Sequence, residues 1–311
     1  MRHDERSDAP ARPARAKYLA LTGRRIDAAT AERLGLVQLV TPPGDLEGAG
    51  RETARAIAAE FGRLGAALML VGRTAARLDA ARRELAEECG TPVATAVGDI
   101  RDPERVAAAF DACEAGLGSR PEVLVNNAAA NFPVPAEELS PNGWRAVVDV
   151  TLTGTWFATR EFARRHLAAG TPGSVVNVGA SYAWTGGPGF AASAAAKAGV
   201  KNLVETLAVE WGPYGIRVNG LVPGLMPHED MTSDIRGTLA RAGDHDARQP
   251  ALRVGRPREL GWAATFLASP YARFVSGHTL VVDGANWQRR ALVNDPVVPV
   301  RDQLGRGPFQ P

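Results

Sequence analysis

The chain has 311 residues, 45% of them hydrophobic and 23% charged, with a formal net charge of +2 at pH 7, enough for one large domain with extensions. That charge is too small for a nucleic-acid surface, and the two cysteines, Cys89 and Cys113, make neither a disulfide framework nor a metal cluster. No apolar run reaches the roughly eighteen residues of a membrane span. The histidines lack metal spacing, and no Gly-x-Ser-x-Gly elbow or internal repeat is present.

In chain order, MRHDERSDAPARPARAKY is charged and Pro-rich, its first dozen or so residues predicting disorder. No apolar stretch follows the basic residues, as a secretory signal would require. Asp4, Glu5 and Asp8 oppose an organellar leader, so cytoplasm is the expected location. AKYLALTGRRIDAATAERLGLVQLVTPPGDLEGA predicts a helix over Ala28 to Leu34 and a strand over Leu36 to Thr41. EGAGRETARAIAAEF opens a helix, and Ala67 to Val71 predicts a short buried strand, followed by Gly72-Arg73-Thr74 and a helix from about Ala75. ATAVG predicts a strand ending at Asp99-Ile100. Val123 to Asn127 predicts another, leading into Ala128, Ala129, Ala130, Asn131 and Phe132. In LSPNGWRAVVDVTLTGTWF, Trp144 and the stripe Val147, Val148, Leu152 and Phe157 predict one long amphipathic helix. A buried strand, Ser174 to Val178, then crosses a Gly- and Pro-rich loop into an Ala-rich helix near Ala191 that stops at Gly212-Pro213. Ile216 to Gly224 is the next strand. From Leu225 to Arg256 the composition turns polar and basic, with Arg236, Arg241, Arg248, Arg253 and Arg256. RELGWAATFLAS predicts a helix and His278 to Gly284 the last strand, while Ala285 to Pro311 has no periodicity. Strands alternating with helices predict an α/β fold, a doubly wound parallel sheet.

The chemistry concentrates in YAWTGGPGFAASAAAKAGV. Ser193 and Lys197, at i and i+4, project from one helix face, and Tyr182 on the preceding loop can reach the same cleft. A nearby lysine ammonium would favour the phenolate and make the phenol a better acid. Taken singly, each residue reads as readily as packing (Tyr182 under the loop) or as a solvated helix lysine (Lys197).

Strand, loop, and helix with one lysine in its first turns resemble the catalytic segment of the short-chain dehydrogenases/reductases. That family usually carries Tyr-x-x-x-Lys with a serine thirteen residues before the tyrosine. Here those slots hold Ser193 and Ala180. Tyr182-x10-Ser193-x3-Lys197 and NNAAANF resemble the 2,4-dienoyl-CoA reductase branch, and Thr151 stands where many other members place a catalytic asparagine. The resemblance spans about Arg55 to Trp287. It implies a Rossmann-like NADP-dependent oxidoreductase, a homotetramer of fatty acid metabolism that reduces a conjugated enoyl or 2,4-dienoyl thioester. Tyr182 would then be the acid and Ser193 would orient the substrate carbonyl or a water. Lys197 would hold the nicotinamide ribose and tune Tyr182. Asn127 would sit beside the ribose and the substrate carbonyl, and Ala128 would be small because the dinucleotide crosses it. Asp99 and Ile100 would meet the adenine, and the Pro223-Gly224 turn would approach the nicotinamide. Arg73, where NAD-binding strands end in an acid, would pair with a 2′-phosphate. A surface arginine is the alternative. The basic stretch after Leu225 matches the family's substrate lid and suits the phosphates of coenzyme A, or equally forms a solvated helix.

Two features depart from the family. Its Gly-rich turn, TGxxxGxG, lets the backbone approach a pyrophosphate at a helix N-terminus. Here only Gly48 survives, with Glu52 and Ala54 at the other two glycine positions. Either PPGDLEGAG turns the chain with other amides, or dinucleotide binding is weakened or lost. Residues from about Tyr18 to Ala59, moreover, resemble a fragment of the enoyl-CoA hydratases (crotonases), without that family's catalytic groups. The expected division is therefore an N-terminal extension, 1–34, in front of a dehydrogenase-like domain, 35–290, with a tail, 291–311. The broken turn also keeps open a protein of this fold without hydride transfer: an isomerase or cyclase using Tyr182 as acid/base, or a noncatalytic binding subunit.

Overall fold

The computed structural model describes residues 51–227, 246, 249–288, 300–303 and 305 of the chain, and the backbone of 37–40. Seven strands form one sheet: β1 (Val37–Val40), β2 (Ala67–Gly72), β3 (Val93–Val97), β4 (Val123–Asn126), β5 (Gly173–Val178), β6 (Ile216–Pro223) and β7 (Thr279–Val282). Their order is β3-β2-β1-β4-β5-β6-β7, and every pairing is parallel. The direction of winding reverses between β1 and β4, which puts a ligand crevice at the C-terminal strand ends. The strand expected over Leu36 to Thr41 is present as Val37–Val40 and serves as the fold's first strand, pairing with β2 on one side and β4 on the other. The helix expected over Ala28 to Leu34 and the segment expected to be disordered lie outside the described residues.

Parallel strands covered on both faces must be apolar on both, and the alternation of side chains divides them into two cores. Met69, Val71, Leu124, Val175 and Val218 point to the face covered by α3 (Pro103–Leu117), α5 (Gly154–Ala169) and α7 (Ala191–Trp211). Leu68, Leu70, Val125, Val176 and Leu221 point to the face covered by α1 (Arg51–Arg63), α2 (Ala75–Cys89) and α8 (Pro257–Ala268). Local signals set the helix ends. Asp102 caps α3 by accepting from the Glu104 and Arg105 amides, and Gly90, Gly118 and Gly170 end their helices in the left-handed region.

The single long helix expected from Trp144 onward is interrupted. A helix α4 (Pro141–Val148) leads through a π-helical turn, Asp149–Thr153, into α5. The extra residue of a π-turn shifts the apolar stripe between α4 and α5; within α4, Val147 is buried and Trp144 is 42% exposed. The turn also brings Gly154 against Ile100, where a Cβ would lie 2.6 Å from Ile100 Cδ1.

Between α1 and α8, the buried carboxylate of Glu60 accepts from Trp262 Nε1 at 3.0 Å, pairs with Arg258 Nε at 2.7 Å and also binds Arg63. Gly261 admits it, since a Cβ there would lie 2.7 Å from Glu60 Cγ. Both arginines and Trp262 are partly exposed and can rehydrate, so losing the acid costs only the part-buried bonds it accepts. Glu60→Ala is expected to lower the unfolding free energy by about 1–2 kcal/mol in urea denaturation. An unchanged midpoint would contradict this account of the α1–α8 contact.

Candidate active site

The sequence-predicted site residues stand at C-terminal strand ends or on the two helices that follow β5. Arg73 follows β2, Asp99 and Ile100 follow β3, Asn127 and Ala128 follow β4, and Pro223 ends β6 before Gly224. Past β5 the chain forms a one-turn helix, α6 (Tyr182–Thr185), where the sequence suggested only loop, and then enters α7. On α7, Ser193, Ala196, Lys197 and Val200 are buried on one face, the i, i+3, i+4, i+7 spacing of a helix stripe.

Tyr182 Oη and Ser193 Oγ are 3.0 Å apart, and the Tyr182 ring stacks on Phe190 at 6.2 Å. Lys197 Nζ donates to the Val178 carbonyl, at the end of β5, at 2.5 Å. Burial brings the Lys197 ammonium down to about 8. It raises the Tyr182 phenol above its ordinary value, and the bond to Ser193 draws it part of the way back. The expectation that Lys197 would acidify Tyr182 is therefore corrected. In this structure desolvation governs both groups, keeping the phenol protonated and the amine weakly basic.

Asn127 is buried immediately past β4. Its neighbour Asn126 donates from Nδ2 to Asn177 Oδ1 and Thr159 Oγ1, both at 2.8 Å, tying β4 to β5 and α5. Ala128 and Ala130 are buried, and Thr151 secures their loop. The Thr151 hydroxyl accepts from the Ala130 amide at 3.0 Å and lies 3.3 Å from the Ala130 carbonyl. Sequence reasoning noted only what Thr151 is not. Its hydroxyl, carried by the π-turn, closes the loop that bears Asn127.

At the other end of the crevice, Arg101 clasps Asp99 (2.6 Å at its closest) and holds its carboxyl below the usual range. Arg73 Nη1 lies 3.9 Å from the same carboxylate. Arg101 is thus a crevice residue that the sequence reading passed over, signalled only by its place two residues past an acid. Of the basic stretch, Arg236, Arg241 and Arg248 lie outside the described residues. Arg253 is held by Glu259 at 2.5 Å.

The nicotinamide half of this crevice fits a dinucleotide. Lys197 is buried with one acceptor among the described residues, leaving N–H donors for ribose hydroxyls. Gly224 lets the β6 turn close, since a Cβ there would lie 2.5 Å from Asp283 Cα. The phosphate turn, residues 41–50, lies outside the described residues, and Glu52 places a carboxylate in the first turn of α1. Behind Lys197 a small cavity of about 10 Å³ is lined by residues that include Asn177, Ala180, Trp184, Lys201 and Thr279. The Asn177 Nδ2 lacks a hydrogen-bond partner among the described residues.

The sequence profile of a family described as Enoyl-(Acyl carrier protein) reductase matches residues 48–285. A peroxisomal 2,4-dienoyl-CoA reductase from Mus musculus is 34% identical over 246 residues, 78% of this chain and 82% of that protein. A cis-4-hydroxycyclohexanecarboxylate dehydrogenase from Sinomonas cyclohexanicum is 36% identical over 259 residues, 82% and 97% of the respective chains. Among solved structures, a gluconate 5-dehydrogenase from Burkholderia cenocepacia in complex with NADP and tartrate superposes with a TM-score of 0.73. It is 31% identical, over 85% of this chain and 97% of that one.

The buried lysine gives a stability test in the cofactor-free protein. Lysine titrates near 10.5 when unfolded and at about 8 here. Between those values the unfolded chain binds more protons, so stability rises with pH. The penalty for burying the ammonium is fully present below about pH 8 and fades toward the ordinary lysine value. Lys197→Met should therefore gain most over the native chain at pH 7, the gain shrinking toward pH 10 in urea denaturation. A difference independent of pH would contradict the assignment.

Proposed function

Because the chain belongs to the short-chain dehydrogenase/reductase family of NAD(P)-dependent oxidoreductases, we propose that it reduces a conjugated enoyl or 2,4-dienoyl thioester with NADPH. The observation that carries this reading is the pairing of Tyr182, from α6, with Ser193, in the position where the wider family keeps its tyrosine. A ketone reducer of the common type needs that tyrosine and a serine at Ala180, and this chain has neither. The family's oxidoreductase chemistry also weighs against an isomerase, cyclase or binding subunit.

NADPH held in the crevice by Lys197 would supply the hydride for reduction of the conjugated system. The negative charge that then develops on the thioester oxygen needs donors already in place. Tyr182 is protonated at neutral pH because burial opposes the phenolate, and it donates its O–H to that oxygen, beside Asn127. For Tyr182 to donate outward, Ser193 must donate to Tyr182 Oη, which makes the phenol a stronger donor as charge builds. Proton transfer from Tyr182 to carbon, with a solvent proton restoring the phenol, completes the reduction. Lys197, anchored on Val178, holds the ribose and thereby the hydride-bearing face. Preference for the 2′-phosphorylated cofactor rests on Arg73 standing just past β2 without an acid at Gly72.

The test is NADPH oxidation with a 2,4-dienoyl-CoA as substrate. The native chain is expected to turn over, and Tyr182→Phe to lose about 100-fold or more in kcat while folding normally. Unchanged turnover in the variant would remove Tyr182 from the mechanism. A native chain that oxidises no NADPH with any conjugated thioester would sink the reading.

A further inference from the structure

Two tryptophans that the chemistry above does not use meet behind Tyr182. Trp184, the third residue of α6, stacks on Trp287 with ring centroids 5.2 Å apart and planes 25° apart. Lys201 Nζ lies 5.8 Å from the Trp184 ring centroid and is paired with Glu205 at 2.5 Å. Trp287 reaches this place by a strained route. Gly284 and Ala285 adopt successive left-handed conformations, φ 61° and 68°, and alanine there costs about 1 kcal/mol. The Trp287 amide donates to Asp283 Oδ2 at 2.8 Å, while its indole N–H is buried with no hydrogen-bond partner among the described residues. A strained turn and an unsatisfied buried donor, both maintained to seat one ring, call for a function.

The structure also shows what needs that ring. Helix α6 is one turn of four residues with no side-chain cap bond at its N-terminus, and it runs into Gly186 and Gly187. A lone turn has no stability of its own, yet it carries Tyr182. Trp184 at the same time forms part of the wall of the cavity behind Lys197. We propose that Trp287 is a positioning residue: by stacking on Trp184 it clamps α6, holding Tyr182 against Ser193 and keeping water away from Tyr182 and the cavity behind Lys197. The catalytic consequence rests on the reductase reading; the clamp itself does not.

Two spectroscopic and kinetic signatures follow. Around Lys197 the titratable groups are Tyr182 on α6 and Lys201 with its partner Glu205 on α7. The side chains that β5, β6 and β7 present to the cavity, Asn177, Val222 and Thr279, are neutral. Burial is the leading cause of the shift in both Tyr182 and Lys197. Releasing the clamp should therefore return the Tyr182 phenol downward and the Lys197 amine upward toward their ordinary values.

The experiment compares Trp287→Ala, Trp287→Leu and Trp287→Phe with the native chain. Tyr182 ionisation is followed by ultraviolet absorbance, taking the difference from the same protein carrying Tyr182→Phe. Turnover is measured with NADPH and a 2,4-dienoyl-CoA. Trp287→Ala should titrate Tyr182 at lower pH and lose about tenfold or more in kcat, with KM changed less than twofold. Trp287→Phe, which keeps a ring to stack, should restore most of both. If Trp287→Ala does not fold, Trp287→Leu takes its place, keeping apolar bulk without a stacking face. A folded Ala or Leu variant with native Tyr182 titration overturns the clamp. A native chain inactive on the thioester would overturn the reductase reading instead, and the Tyr182 titration would still decide the clamp.

Discussion

The structure turns on one desolvated amine. Lys197 has a single hydrogen-bond acceptor among the described residues, the carbonyl that ends β5, and burial depresses its basicity. Such a group is tolerated only where the surroundings are rigid and a polar ligand can complete its bonds. Around it the chain is small or apolar: Gly179 and Ala180 past the strand, Ala183 on α6, and Val200 and Val204 along α7. An ammonium buried with one acceptor among the described residues keeps N–H donors for a polar ligand. The same desolvation keeps Tyr182 a phenol.

The relatives sharpen this picture. Proteins that share about a third of their residues with this chain include a 2,4-dienoyl-CoA reductase and dehydrogenases of hydroxyl-bearing substrates. The scaffold therefore tolerates several chemistries, and function lies in the side chains set on it. Here Ala180 and Ser193 withhold the usual pair, and Tyr182 enters from a different element. The loop after β4 is adjusted to match: Thr151 closes it with its hydroxyl, and Asn127 stands at its start.

Much of this was legible in the sequence because strand ends coincide with composition changes. VLVNN and the Pro223-Gly224 turn each mark a buried strand giving way to small or polar residues, Asp99-Ile100 follows the half-exposed edge strand β3, and all three stand at C-terminal strand ends. That Tyr182 could reach the cleft of Ser193 and Lys197 was legible from the helix face together with the family resemblance, whereas the Tyr182–Ser193 hydrogen bond itself was not. Other features were not legible. The π-turn at Asp149–Thr153 has no periodic signature, because one inserted residue looks like noise in a helical stripe. Likewise, no local pattern announces that Trp287 returns across the fold to Trp184, since that contact depends on a strained turn at Gly284-Ala285. The lysine's expected influence on Tyr182 failed for a related reason: burial depends on tertiary packing, which spacing does not reveal.

Under the proposed function, the buried nicotinamide half of the crevice binds a dinucleotide even though Glu52 and Ala54 replace glycines of the phosphate turn. Titration of the purified protein with NADPH and NADH, followed by nicotinamide fluorescence, tests it most directly. Saturable NADPH binding, tighter than NADH binding and abolished by Lys197→Met, is the predicted result. Absence of binding by either cofactor to a folded protein would contradict the claim.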